Sequence, residues 1–450
     1  SALIVTRSGS KEELGDEMTT QLISQPRGLV VTACFLLVLC ITPLPKLPLL
    51  LTAGALLTTA FMMRRNSRRL TEAQEQTEAL PKAAEPPPVE TLLKLGTLEL
   101  EVGYGLVQLV DTNQGGDLLE RISGIGRQLA VELGLVMPPV RIRDNMTLSA
   151  SEYRVKIRGN VVASGVTKPG KLLAMDSGIA GGPIQGEPTR EPAFGLDAWW
   201  IDPSLRTRAE TLNYTVVEPT SVLATHITEI VKKHADELLT RDEVNNLLEQ
   251  LKEKAPKLVE ETVPAIAKPG ELQKILQNLL RERVPIRDLE SVLETLAEWG
   301  PRTKDLDVLT EYVRNALRRT ICAQYTSTSD TGKPKLVCVT LDPSLEEQIN
   351  AYIDRGPGGT TVNMPARAAA AVSSQILNAL SLLTSAGHPP VVIASPQVRA
   401  VVRQIMEPSA PGIAVLGYNE VVNTIEVESL ALVMPADADQ GTPRRAVAAA

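Results

Sequence analysis

The chain has few residues of the kinds that hold metals or staple small folds. Its 450 residues include three histidines and four cysteines. Cys322 and Cys338 stand far apart, and no CxxC spacing occurs, so neither a disulfide framework nor a zinc site is indicated. His226 and His234 are separated by more than two helical turns, which argues against a shared metal. We therefore predict no metal and no cofactor.

Patterns for phosphate binding and nucleophilic catalysis are missing as well. Gly332-Lys333 lacks the earlier glycine of the GxxxxGK[ST] loop and is followed by Pro334. Gly124 and Gly126 fall inside a helical pattern, where close helix packing is a better explanation than a GxGxxG fingerprint. No GxSxG nucleophile elbow occurs. We predict no catalytic residues and a binding protein, and the alternative is an enzyme with a carboxylate site hidden in a Gly/Pro-rich region.

The charge balance argues against nucleic acid as the main partner. Acidic residues outnumber basic ones, 53 to 46, and the net charge is −7. Aromatic residues make up only 3% of the chain and do not alternate with basic residues, as a surface that stacks bases requires.

Residues 28–63 form the one long stretch that suits lipid better than water. Two apolar halves, each slightly shorter than the roughly 20 residues of a spanning helix, flank a cluster of Pro43, Pro45, Lys46 and Pro48. Proline cannot continue a helix cleanly, so we predict two short transmembrane helices joined by a tight turn. A single kinked span and the buried hairpin of a soluble protein are the alternatives.

A basic cluster follows this stretch directly: Arg64, Arg65, Arg68 and Arg69. Such a cluster is typical of the cytoplasmic border of a membrane and can bind anionic lipid. It places the remainder of the chain in the cytoplasm. Residues 1–27 are predicted to be a cytoplasmic segment before the membrane, and the apolar start SALIVTR suggests the C-terminal part of a longer membrane protein.

The segment that contains these arginines, residues 64–94, continues as a flexible linker, because its proline, alanine and glutamate content cannot bury a core. From residue 95 the patterns predict a multidomain α/β cytoplasmic region. Strands are expected at residues 98–102, 106–110, 140–142, 153–157, 172–175 and 198–201. The predicted parts are a first α/β subdomain (95–160 and 204–220), an inserted β-rich subdomain (161–203), a helical subdomain (221–305), a C-terminal α/β sandwich (306–435) and a disordered tail (436–450).

Three segments of the sequence resemble a known family closely: PPVRIRDN, EPAFGLDAWWI and VPIRDLESVLETLAE. The chain is similar to the export-gate proteins of type III secretion, and the likeness runs collinearly along nearly its whole length. The segments PAFGLDAWWI and VVEPTSVLATH favour the flagellar branch, with the virulence branch as the alternative.

The resemblance implies a component of the flagellar export gate, multi-pass in the bacterial inner membrane. In this family the cytoplasmic part has four subdomains and forms a nine-membered ring. It receives flagellar export chaperones with their cargo and helps order export. Other membrane components of the gate and the export switch protein are further implied partners. A membrane-anchored scaffold without chaperone recognition is the alternative.

The resemblance also implies a chaperone-binding site made of Glu191, Phe194, Thr225 and Trp199. The family motif DPAF reads EPAF here, so the acidic position is Glu191, one methylene longer. Phe194 is either a core aromatic or, as its Pro/Gly-flanked loop favours, a recognition residue. Thr225 falls on the polar side of its helix. Trp199 and Trp200 point to opposite faces of a strand, so at most one lies in the core.

Overall fold

The computed structural model describes residues 54, 58, 96–111, 115–328, 332–356 and 359–435. The chain divides into two compact units, Ser1–Lys94 and Leu95–Ala450. The predicted segment 1–27, the linker with its four arginines and the tail at 436–450 lie outside the described residues. So do the predicted membrane helices, apart from Gly54 and Thr58. These predictions therefore stay predictions, and the fold described below is that of the second unit.

The first sheet has the strand order β2-β1-β3-β4. Its central strand β1 (Leu98–Val102) pairs in parallel with β2 (Val140–Asp144) and antiparallel with β3 (Glu152–Ile157). Strand β4 (Asn160–Val166) extends it antiparallel to β3. Alternate residues of β1 and β3 face the core, as expected for a sheet with one wet face. These buried residues are Leu98, Leu100, Val102, Tyr153, Val155 and Ile157.

The predicted strand at residues 106–110 is wrong, because this segment is helical. A 3-10 turn (Tyr104–Leu106) leads into the short helix α1 (Val107–Val110). Gly103 and Gly105 press against residues 149–150, where a β-carbon on Gly103 would collide with the carbonyl oxygen of Ser149. The chain therefore has to turn after β1. Five apolar residues fit one turn of helix as well as a strand.

Helix α2 (Leu118–Glu132) covers the inner face of the first sheet through Ile122, Ile125 and Leu129. Its C-terminal end is followed by Gly134, which has a φ of +75°. This left-handed conformation favours glycine and commonly ends a helix.

The second sheet is antiparallel, with the strand order β6-β7-β5-β8. Its strands are β5 (Leu172–Met175), β6 (Glu187–Arg190), β7 (Asp197–Ile201) and β8 (Thr215–Val217). Between β7 and β8 lie a 3-10 turn (Pro203–Leu205) and helix α3 (Arg206–Thr211).

The predicted boundaries of the inserted subdomain are wrong at both ends. Residues 160–166 belong to the first sheet as β4. At the other end, β8 pairs with β5, and Leu205, Ala209 and Tyr214 pack in one cluster with Ala174 and Ile201, so this segment belongs with the second sheet and not with the first. A short apolar pattern identifies a strand but carries no information about its partner, which the tertiary pairing decides.

Helix α4 (Pro219–Lys233) joins the two sheets. Leu223, Ile227 and Val231 pack in the core of the first sheet, whereas Val222 packs against the second sheet. Lys232 Nζ lies 2.6 Å from Glu132 Oε1 of α2. The helix therefore fixes the second sheet to the first.

A bundle of helices follows: α5 (Ala235–Leu238), α6 (Arg241–Lys254), α7 (Pro256–Thr262), α8 (Pro269–Arg281), α9 (Leu289–Trp299), α10 (Leu306–Ala316) and α11 (Arg318–Tyr325). Thr240 caps α6, since its hydroxyl accepts the N–H of Glu243 at 3.2 Å. Helix α10 packs against α8 and α9. The bundle therefore continues past residue 305, where the sequence patterns place its end.

The C-terminal sheet is parallel in the order β14-β13-β10-β15, with β9 (Ser327–Thr328) antiparallel to β10. The parallel strands are β10 (Pro334–Leu341), β13 (Val391–Ala394), β14 (Ala414–Gly417) and β15 (Glu426–Val433). The connections contain α12 (Pro343–Asn350), a hairpin of β11 (Ile353–Gly356) and β12 (Gly359–Val362), α13 (Ala366–Ser385) and α14 (Arg399–Met406). The multidomain α/β class is thus confirmed for the described residues.

Within the described part of the chain, α13 is the one helix whose length and apolar composition would allow it to cross a membrane. Its buried residues Ile376, Leu380 and Leu383 belong to the core beside the C-terminal sheet. The helix packs against β10, β15 and α14. These contacts place the helix in the C-terminal subdomain.

Candidate functional site

The loop between β6 and β7, residues 191–196, is closed by its own backbone. The N–H of Glu191 donates to the carbonyl of Leu196 at 2.9 Å, and the N–H of Gly195 donates to the carbonyl of Glu191 at 2.9 Å. Gly195 has a φ of +71°, a conformation that glycine adopts without a steric penalty. The loop therefore has a defined turn and not merely an irregular connection.

The acid of this loop is turned inward. Glu191 is only 3% exposed. Its Oε1 accepts the N–H of Ala193 at 2.9 Å, and its Oε2 accepts the N–H of Phe194 at 2.6 Å. Hydrogen bonds to an ionised acceptor are the strong kind. The structure thus places the predicted site residue Glu191 in the frame of the loop, with its carboxylate engaged by the backbone.

Phe194 points out of the same loop and is 61% exposed. The alternative of a core aromatic is therefore wrong. Leu196 and Ile179 are also exposed. Met175, the last residue of β5, pairs with Ala198 near the start of β7, so the loop that follows β5 and carries Ile179 starts beside the end of the loop that carries Phe194.

Sequence reasoning missed Ile179 and Leu196. A large aliphatic residue among glycines, as in SGIAGG, is a signal that could have identified Ile179, because such a loop has no core in which to bury it. Gly181 N donates to Leu212 O at 2.9 Å, and Tyr214 Oη donates to Gly182 O at 2.9 Å. These bonds tie the far side of the loop back to the sheet.

Thr225 lies on α4 and is exposed, as its predicted helical face requires. One turn earlier, Val222 is buried against Leu173 and Trp200 of the second sheet. His226, which follows Thr225, is buried, and its Nδ1 lies 2.7 Å from Tyr153 Oη of β3.

The charge of Glu191 acts on both members of this pair. Burial and then the Glu191 carboxylate raise the pKa of Tyr153. Burial lowers the pKa of His226, and the carboxylate opposes that shift. The Glu191 carboxylate is therefore a charged neighbour of Tyr153 and His226, and His226 directly follows Thr225 on α4. Of the predicted site residues, Glu191 and Phe194 share one loop, whereas Thr225 stands on the helix.

Trp199 lies on the face of the second sheet that is turned away from α4. Its ring meets Tyr214 edge to face, with centroids 5.6 Å apart, and packs in the cluster beneath α3. Trp200, one residue later, faces α4 and is 3% exposed. The alternation of the strand thus separates Trp199 from Thr225 by the thickness of the sheet. The sequence predicts opposite faces for the two tryptophans but does not tell which face meets α4.

A cleft of about 340 Å³ lies between the helical bundle and the C-terminal sheet, and its lining includes Glu282, Glu311, Arg399 and Arg403. The Arg399 guanidinium contacts both carboxylates, with Nη1 2.6 Å from Glu282 and Nε 2.7 Å from Glu311. The charged side chains of the cleft are therefore largely paired with one another.

The loop that carries Phe194 is suited to binding a protein surface. Exposed apolar side chains on a loop with a defined turn are typical anchors of protein recognition. In the parts of the chain that the structure describes, no group of three His, Cys, Asp or Glu side chains is placed to hold a metal ion.

Comparison with solved structures identifies the fold first. The fold matches the CdsV protein of Chlamydia pneumoniae with a TM-score of 0.65 and 24% identity, covering 75% of this chain and 98% of that one. It also matches the nonameric SctV-C of EPEC with a TM-score of 0.60 and 22% identity, covering 75% and 98%. The described subdomains thus share the fold of these two proteins.

Sequence comparison then gives the family. Residues 1–426 match the FHIPEP family. The flagellar biosynthesis protein FlhA of Bacillus subtilis is 40% identical over 438 residues, which are 96% of this chain and 64% of that protein. FlhA of Escherichia coli K12 is 35% identical over 445 residues, 96% and 61% of the two chains. The chain belongs to the FHIPEP family, as its resemblance predicts, and spans less than two thirds of the length of these relatives.

Proposed function

We propose that this chain is a component of a flagellar type III protein export gate. In this proposal its second unit is a platform on which export chaperones dock with their cargo. The observation that carries the proposal is the exposed Phe194 on a loop whose turn is fixed by the buried Glu191. Leu196, Ile179 and Thr225 extend the surface, and the site acts by binding and not by catalysis.

We also propose that the chain is anchored in the bacterial inner membrane, with residues 28–63 crossing the bilayer. The uncharged apolar halves and the arginines that follow them support this part. Arg64, Arg65, Arg68 and Arg69 then lie at the cytoplasmic lipid border. Residues 64–94 connect this border to the described subdomains.

The platform is proposed to work as a homo-oligomeric ring of nine copies. The fold likeness to the nonameric SctV-C supports a ring. The structure of a complex between CdsV and CdsO supports the use of this fold to bind further proteins. Other membrane components of the gate and the export switch protein are the proposed additional partners, with the docked chaperones setting the order of export.

Calorimetric titration of the full chain in lipid nanodiscs with flagellar export chaperones, each loaded with filament-type cargo, tests the docking proposal. Phe194→Ala should weaken binding by at least about 30-fold, as loss of an interface anchor does. Its melting temperature should not change. Leu382→Ala, which removes an exposed apolar side chain from α13, is the matched control and should bind normally.

Two results would count against the proposal. Unchanged binding by Phe194→Ala would place the docking surface elsewhere. Failure of the folded, unmutated chain to bind any loaded chaperone would favour the alternative of a scaffold without chaperone recognition.

A further inference from the structure

We infer that Glu191 is a positioning residue of the docking surface: it fixes Phe194 through the loop backbone and does not itself contact the partner. The inference rests on the proposed docking function. It departs from the expectation that the acid of the EPAF motif is a contact residue.

The hydrogen bonds of the loop all converge on this residue. After Pro192, which has no N–H to donate, the next three N–H groups belong to Ala193, Phe194 and Gly195. The first two donate to the Glu191 carboxylate and the third to its carbonyl oxygen. Glu191 thereby binds every N–H group between Pro192 and Leu196.

Burial excludes a direct role in the same geometry. With 3% exposure and both carboxylate oxygens engaged by the backbone, the acid offers a partner almost no surface. Phe194 offers 61% of its own. The partner can therefore reach Phe194, whereas Glu191 determines the position of that side chain.

A fixed loop increases the affinity for a partner, because an exposed aromatic on a disordered loop has to be ordered at the moment of binding. The fraction of molecules that hold the binding conformation multiplies the apparent affinity. Glu191 keeps that fraction high. Its loss should thus weaken docking even though no contact with the partner disappears.

The chemistry distinguishes the possible substitutions. The N–H groups of Ala193 and Phe194 donate to different oxygens of Glu191. Glutamine places an amide nitrogen, which is a donor, where one of these oxygens stands, so Glu191→Gln sets a donor against one of the two N–H groups. Aspartate can serve both, as Asp305 does in this protein by accepting the N–H groups of Asp307 and Val308 with one oxygen. Glu191→Asp should therefore retain the loop.

A double-mutant cycle on the full chain in nanodiscs tests the inference with the same loaded chaperones. Glu191→Gln should weaken binding by about five-fold or more, Glu191→Asp by less than about two-fold. In the Phe194→Ala background, Glu191→Gln should cause no further loss, because the side chain that it positions is gone. Losses that multiply in the double variant would overturn the inference and show a direct contact.

Hydrogen exchange followed by mass spectrometry tests the loop without any chaperone. The amides of residues 193–195 should exchange at least about ten-fold faster in Glu191→Gln than in the unmutated chain or in Glu191→Asp. The amides of β5 should not change. Unchanged exchange in Glu191→Gln would refute the positioning role, whereas absence of chaperone binding by the unmutated chain would refute only the proposed docking function.

Discussion

Arg314 of α10 and Glu420, 106 residues later in a 3-10 turn (Tyr418–Glu420), form a two-pronged ion pair between the helical bundle and the C-terminal sheet. Arg314 Nε lies 2.6 Å from Glu420 Oε1, and Nη2 lies 2.9 Å from Oε2. The two side chains are 2% and 1% exposed. Glu282 links this pair to Arg399, because its Oε2 is 3.1 Å from Arg314 Nη1 and 2.6 Å from Arg399 Nη1.

Arg314→Met should destabilise the second unit by about 3–5 kcal/mol, because it leaves the buried Glu420 carboxylate without its counter-charge. Urea denaturation measures the change in the free energy of unfolding. Arg318→Met, at an exposed arginine of α11, is the control and should stay within about 0.5 kcal/mol. A loss below about 1 kcal/mol in Arg314→Met would contradict a structural role for the pair.

Glu282 should make the stability of the contact between the helical bundle and the C-terminal sheet sensitive to acid. Burial raises its pKa, but the charges of Arg314 and Arg399 outweigh that effect and hold the pKa at about 2. An unfolded glutamate titrates near about 4.3. The stabilisation that Glu282 contributes is therefore complete above that pH and is lost as the pH falls toward about 2.

The urea midpoint, measured between neutral pH and about pH 2, should fall in this acid range. Glu282→Gln should be less stable at neutral pH and should lose part of the acid dependence. If the acid dependence of Glu282→Gln were the same as that of the unmutated chain, another carboxyl group would be responsible.

Two glycine positions should respond in opposite directions to alanine. Gly103→Ala should destabilise by more than about 1 kcal/mol, since the new methyl group would meet the backbone of residues 149–150. Gly124 lies inside α2 with no atom within 4 Å of an added β-carbon, and at Gly126 the nearest atom is 3.5 Å away. The prediction that close helix packing explains these two glycines is therefore wrong.

Gly124→Ala should instead stabilise by up to about 1 kcal/mol, because alanine has the higher helix propensity. Thermal melting of the two variants provides the comparison. A destabilised Gly124→Ala would show that a partner surface outside the described residues fills the space.

Alanine substitutions at Phe194 and Trp200 should separate an effect on docking from an effect on folding. Trp200→Ala should cost about 3–5 kcal/mol, because it empties a buried site against Val222 and Leu173. Phe194→Ala should cost less than about 0.5 kcal/mol, because the ring is mainly in water. Equal losses of stability in the two variants would contradict the orientation of the loop.

The described cysteines should be unreactive in the folded chain. Burial raises the pKa of Cys338 to about 11 and also raises that of Cys322. The thiolate that reacts with alkylating agents is thus scarce at neutral pH and shielded from solvent. Iodoacetamide labelling, followed by peptide mapping, should be at least about 100-fold slower at both sites than in urea. Fast labelling of the folded chain would indicate local opening at β10 or α11.

The sequence alone determined those elements whose pattern is local. Alternation over residues 98–102 and helical spacing over residues 118–133 correspond to β1 and α2, because these periods reflect which side chains can share one face. The exposure of Phe194 was predictable too, since an aromatic in a Pro/Gly-flanked loop has no regular face to bury.

Tertiary structure decided what depends on distant partners. The sheet to which β8 belongs, the face on which Trp199 lies and the inward turn of Glu191 all follow from segments that meet only after folding. Arg314 and Glu420 show the limit most clearly. Either residue alone reads as a surface charge, and only the convergence of chain segments 106 residues apart makes their joint burial favourable, because a buried charge is stable only beside its partner.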